Sequence, residues 1–328
     1  MSDTNYVSLP YEINVEMKTY QSRAFPLGIM KANVDDYDTW LCNKLINSYY
    51  APKEVTFDSY EADLWPVREG LAFEQKMLLS PDLFACKGID LIELIRYMLR
   101  DGYYIYGTYN EFYIPGKSCY QKNNNDHDYI LFGYDDRAKV FKSAGYLEDN
   151  RYAYFDIAYE AYFHSIVWSK ADRITLNAHK IDKSYIPQLN IKHIKEKLEN
   201  YLFSRLEDHG SSEWIYGIDG WDCFDEYMGI ASESLDLRYS RLYIEHRGIM
   251  CKRIHKLTEC SYVSDGAIEE RYRSQIYSRA QMVHHMFIKY NLTHNKELFA
   301  RILQMIREIN DQERKIIAEL LVQLDSIM

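Results

Sequence analysis

The feature that most constrains this fold is a change of hydrophobic period near residue 181. Before it, short aromatic-rich runs recur at 103–114, 129–134, 139–143, 152–157 and 173–182. Their Tyr, Phe and Ile content suits a pleated, half-buried surface, so these runs predict strands. Asp135 and Asp136 lie between two of them and read as a hairpin turn. After residue 181, apolar positions recur at helical spacing through 190–204, 235–257, 267–290 and 296–324. Asn190 caps the first of these segments. Asn310 splits the last into two helices, with Glu313 reaching back to complete the cap. Two further helices are predicted before the sheet. One spans 38–50, begins at Asp38 or Thr39 and carries Leu41, Leu45, Ile46 and Tyr49. The other spans 88–100, carries Ile89, Ile92, Ile95 and Leu99, and stops at Gly102. Helices followed by an antiparallel sheet make an α+β half, residues 1–181, and an all-helical half follows over 182–328.

Charge narrows the function. The chain has a formal net charge of −10, and residues 1–181 carry 26 acidic against 19 basic side chains. Phosphate contacts need clustered Lys and Arg, so nucleic acid is not the expected partner. A cationic amine is compatible with the acidic surface. The first residues have no apolar signal segment, and no apolar run is long enough to span a membrane. The expected location is therefore cytoplasmic, where the six cysteines would be reduced thiols. No C-x-x-C pair suggests zinc, and no G-x-x-x-x-G-K loop suggests ATP, so activation of a substrate by ATP within this chain is not expected.

The chemistry-bearing segment is DHDYILFGYDD, residues 126–136, in which His127 opens a strand. Cys42 is expected in the first turn of the 38–50 helix. Partial positive charge at a helix start and a neighbouring imidazole both lower a thiol pKa, and the resulting thiolate is a nucleophile for acyl transfer. Cys119 is a rival nucleophile but has no helix after it. His255, His284 and His285 read as ordinary helix residues. Arg238, Glu245, His246 and Arg253 read as ion-pairing positions on one helix face.

The segments WLCNKLIN, GIDLIELIRYMLRDGYYIYG and HDYILFGYDD, with YGIDGWDCFDEYMG (216–229) and RYSRLYIEHRGIMCKRIHKL (238–257), resemble papain-like, butirosin-H-like cysteine acyltransferases of natural-product gene clusters. The resemblance runs from about residue 28 onward. It implies a helix packed on an antiparallel sheet and transfer of an acyl chain from a phosphopantetheine thioester. The donor would be held on an acyl or peptidyl carrier protein. An acyl-enzyme on Cys42, with His127 as base, would then pass the chain to a small amine such as a short diamine, with no bound cofactor or metal. The Cys42 N–H would be one oxyanion donor. Where the family carries a Gln as the second donor, this chain has Asn33 and Asp36. Where the family carries an Asp or Asn to orient the histidine, this chain has Ser143, with Asp128 as the other candidate. A cysteine peptidase or thioesterase would use the same Cys–His pair. A non-catalytic binding or scaffold protein would keep Cys42 for its packing alone.

Overall fold

A computed structural model describes residues 5–60, 73–79, 90–167, 176–207, 210–231, 233–264 and 266–326. Cys86, Ile89 and the first residues of the expected 173–182 strand lie outside them. In chain order the elements begin with β1 (Tyr6–Ser8), α1 (Gln21–Asn33), α2 (Tyr37–Cys42), β2 (Asn47–Ala51), β3 (Thr56–Tyr60) and β4 (Phe73–Leu79). Next come α3 (Leu91–Arg100), β5 (Tyr103–Asn110), β6 (Asp126–Asp135), β7 (Val140–Tyr146), β8 (Tyr152–Ala158), α4 (Tyr159–Val167) and β9 (Leu176–Ile181). The rest comprises α5 (Ile191–Leu202), β10 (Ile215–Tyr216), α6 (Gly217–Asp222), α7 (Phe224–Ile230), α8 (Leu237–Glu259) and α9 (Gly266–Arg271). A π-helical turn (Tyr272–Tyr277), α10 (Ser278–Thr293) and α11 (Lys296–Asp325) complete it.

The chain forms two compact units. One is Met1–Asp35 with Trp65–Ile186, and the other is Asp36–Leu64 with Pro187–Met328. The later division is close to the expected boundary at 181/182. Segment 36–64, which the sequence placed with the sheet, instead belongs to the helical unit.

The first unit has the expected α+β layout. Among the described residues its antiparallel sheet has seven strands in the order β4-β9-β5-β6-β7-β8, with β1 also paired to β6. Helix α3 begins where the Asp90 carboxylate accepts the Glu93 N–H, and it ends at Gly102, whose φ of +92° suits a residue without Cβ. Its Ile95 and Leu99 pack with Ile105, Leu131, Phe141 and Tyr162 in one buried cluster. Several tyrosines serve this core in pairs, the rings contributing apolar area while the hydroxyls bond each other. The Tyr129 and Tyr162 hydroxyls meet at 2.7 Å, as do those of Tyr11 and Tyr152. The β6–β7 turn spans residues 136–139, so it includes Asp136 of the expected pair while Asp135 ends the strand. Asp135 accepts the N–H groups of Arg137 and Ala138, and Lys139 takes a φ of +59°.

The second unit departs from expectation in two places. The helix predicted over 38–50 stops at Cys42. Leu45 adopts a φ of +55°, and residues 47–51 form β2, which pairs with β3 and β10. The predicted break at Asn310 is absent, and α11 runs through it for 30 residues. Asn310 is buried, and both its amide oxygen and its amide nitrogen have partners. It accepts from the Tyr243 hydroxyl at 2.8 Å and from Arg247 at 3.1 Å, and it donates to Asp222 at 2.8 Å. These partners remove the penalty for burying a polar group in mid-helix. Beside it, Arg247 and Glu313 form a wholly buried ion pair at 2.6 Å, and the Tyr272 hydroxyl donates to the same carboxylate.

Candidate functional site

Cys42 occupies a setting unlike the one predicted for a nucleophile. It is the last residue of α2, and the helix start is marked by Asp36, which accepts the Thr39 N–H at 3.2 Å. A helix C-terminus carries partial negative charge, which disfavours a thiolate. The side chain is 1% exposed, and burial pushes its thiol up to about 11, with Arg253 only partly opposing. The backbone around it is fastened to α8. Arg253 donates to the Cys42 carbonyl at 2.9 Å and to the Lys44 carbonyl at 2.6 Å, and His246 Nε2 donates to the Ile46 carbonyl at 2.9 Å. These contacts give Arg253 and His246 a structural role, but through backbone carbonyls rather than the ion pairs expected on one helix face, and they place Cys42 in the packing of the helical unit. His127 belongs to the other unit.

The proposed oxyanion residues are also occupied. Asn33 donates to the Ile29 carbonyl at 2.8 Å and to the Tyr104 hydroxyl at 2.9 Å. Asp36 offers only acceptor oxygens, and these hold Thr39 and pair with Lys256 at 3.6 Å. Ser143 is buried opposite Leu131 and donates to the Ile130 carbonyl at 2.7 Å, three positions along β6 from the histidine. It does not orient His127. The Asp128 carboxyl is hydrogen-bonded to Tyr106, and burial raises its pKa.

His127 is the second residue of β6, opposite Tyr109 in the register with β5, and it is exposed. Its partner is Gln21, the first residue of α1 and only 3% exposed. The Gln21 carboxamide is oriented by the backbone. Its nitrogen donates to the Asp128 carbonyl at 2.6 Å, and its oxygen accepts the Tyr146 N–H at 3.3 Å. The same nitrogen donates to His127 Nδ1. A neutral imidazole that accepts at Nδ1 carries its proton on Nε2, so the ring presents a hydrogen-bond donor there.

Behind this pair lies a buried lysine. Lys117 is 2% exposed, donates to the Tyr146 carbonyl at 2.6 Å and faces the Glu111 carboxylate at 3.7 Å. Burial lowers its pKa to about 8, with Glu111 partly offsetting the effect. Its ammonium lies 4.7 Å from the Phe155 ring centre. Gln21 Oε1 and Lys117 Nζ both close on Gly145, where an added Cβ would meet them at 2.9 and 3.3 Å. The Tyr109 hydroxyl is fully buried nearby and has no hydrogen-bond partner among the described residues. Such an orphan is ordinarily met by water or a ligand.

Sequence reasoning missed Gln21, Lys117 and Glu111. Pro26 inside α1 reads as a break, and no Ser, Thr, Asp or Asn caps the helix, so the element that positions Gln21 was not expected. The available signal was the apolar spacing of Phe25, Ile29 and Met30, all of which are buried.

Among the described residues, no group of three or more His, Cys, Asp or Glu could hold a metal ion, and no helix is long and apolar enough to cross a membrane. No family model matches this sequence, and no curated protein matches it.

Proposed function

We propose that this chain works by non-covalent recognition of a ligand bearing an acceptor oxygen at the His127 end of the first unit's sheet. The carrying observation is the Gln21–His127 contact, which fixes an exposed imidazole as an Nε2–H donor. The resemblance supplies the ligand class: the carbonyl of an acyl thioester on a carrier protein, met in the context of amide formation with a small amine. This keeps the acyl-thioester ligand and drops the covalent step. Burial of Cys42, its raised pKa and its place at a helix C-terminus all support leaving that step out.

The test has two parts, both on the full chain. Long-range proton–nitrogen NMR at neutral pH is expected to report His127 as the Nε2–H form, and titration with an acyl pantetheine thioester is expected to move those resonances. Intact mass spectrometry of the same mixtures is expected to find no acyl adduct. An Nδ1–H ring would overturn the donor assignment. An adduct lost in Cys42→Ala would restore the acyl-enzyme route and the amide-forming acyltransferase with it.

A further inference from the structure

We infer that residue 21 stands where an acyl-transfer nucleophile would stand, and that a thiol placed there becomes a working one. The inference rests on the same Gln21–His127 contact as the binding proposal, but it concerns reactivity rather than recognition.

Four observations meet at this position. Gln21 is the first residue of a 13-residue helix whose first turn holds no acidic side chain, so nothing there offsets the positive end of the helix dipole. Its side chain reaches His127 Nδ1, a ring nitrogen already in the acceptor state that a general base requires. Its carboxamide oxygen holds the Tyr146 N–H. With the Asp128 carbonyl bonded to its nitrogen, the carboxamide is held at both ends, which fixes where the tip of side chain 21 lies. Finally, His127 is exposed and Gln21 is buried, so a substrate meets the ring from solvent and reaches position 21 only through the space that a shorter side chain leaves there. The element missing from the set is nucleophilicity, because a carboxamide nitrogen is no nucleophile for thioesters.

In Gln21→Cys the chemistry balances without any added reagent. The thiol proton passes to His127 Nδ1, and the thiolate sulfur attacks the thioester carbonyl carbon. The carbon–sulfur bond of the donor breaks, and its thiol leaves with the proton from the imidazolium. A helix start and a neighbouring imidazole both lower a thiol pKa, whereas Cys42 lies at a helix end; burial at position 21 acts against them.

The experiment compares full-length wild type, Q21C and Q21C/H127A, each incubated with the acetyl thioester of N-acetylcysteamine. Adducts are followed by intact mass and located by peptide mapping, since Cys260 is exposed and can exchange on its own. The expected result is an acetyl group at position 21 in Q21C, formed at least tenfold faster than in Q21C/H127A. Wild type is expected to carry none there. Folded Q21C that stays unmodified at position 21, or that labels equally fast without His127, overturns the inference while leaving wild-type ligand binding untouched. Should Q21C not fold, Q21S with p-nitrophenyl acetate puts a hydroxyl in the same place. A folded Q21S with no adduct at position 21 overturns it equally.

Discussion

Acidification from pH 8 to pH 5 should weaken the helical unit through one side chain, His246. The ring is fully buried, and its Nε2–H donates to the Ile46 carbonyl at 2.9 Å. Its Nδ1 is buried with no partner among the described residues. A second proton would put a charge in the core beside Arg247 and Arg253. Burial is the larger cause and these two cations the lesser ones that bring its pKa from 6.5 down to about 3. The unfolded chain takes up this proton near pH 6.5, whereas the folded chain holds it off until near pH 3. Below 6.5 the unfolded state therefore binds more protons. The contribution is fully present above that pH and is lost as the pH falls toward 3. At pH 5 the separation from 6.5 is roughly 1.5 units, and at ~1.36 kcal/mol per unit the loss is about 2 kcal/mol. Urea unfolding of wild type and His246→Gln at both pH values isolates this contribution, because the glutamine keeps a donor for Ile46 but does not titrate. Wild type should lose about 2 kcal/mol more than the variant. Equal losses, within about 0.5 kcal/mol, would refute the assignment of a neutral, proton-excluding ring.

Iodoacetamide at neutral pH should label exposed Cys260 while native Cys42 stays unmodified; early labelling of Cys42 would mean that its burial and raised pKa are wrong. Glu313→Gln should cost about 3–5 kcal/mol in denaturant unfolding, because it leaves the Arg247 charge buried without its counter-ion. Replacing both members with apolar residues of similar size should cost less than either single change, and strict additivity would argue against a coupled pair. Gly217→Ala should destabilise by more than about 2 kcal/mol, since φ is +61° and the new Cβ would fall 2.1 Å from the Tyr201 carbonyl oxygen. A melting curve matching wild type would show that the backbone yields there.

What could be read from the sequence was what local pattern controls. The stop at Gly102, the Asn190 cap, which accepts the His193 N–H at 3.0 Å, and the strand start beside His127 all depend on neighbours a few residues away. What could not be read depends on distant ones. Helix α2 ends where it does because Arg253 and His246, some two hundred residues on, hold the carbonyls of residues 42–46. Asn310 looks like a cap until Tyr243, Arg247 and Asp222 are seen to satisfy it in mid-helix. The candidate site divided in the same way. His127 was identifiable from its strand, but Gln21 meets it across 106 positions of chain and sits on a helix whose proline hides it.

The interleaving of the two units along the chain has a consequence for biosynthesis. Neither unit is a continuous stretch, so segment 36–64 emerges early yet has no place to dock until α8 has been made. Arg253 follows residue 60 by roughly 190 positions, and at about 5–20 residues per second that interval is on the order of 10–40 s. For most of that time Phe57, though it can already face Tyr50, lacks Trp221, Phe224, Tyr227 and Tyr239, the rings that pack on it in the finished protein. The chain thus passes through a window in which a half-made sheet is open to chaperones or to another nascent copy. Slowing translation between residues 64 and 253 should lengthen that window.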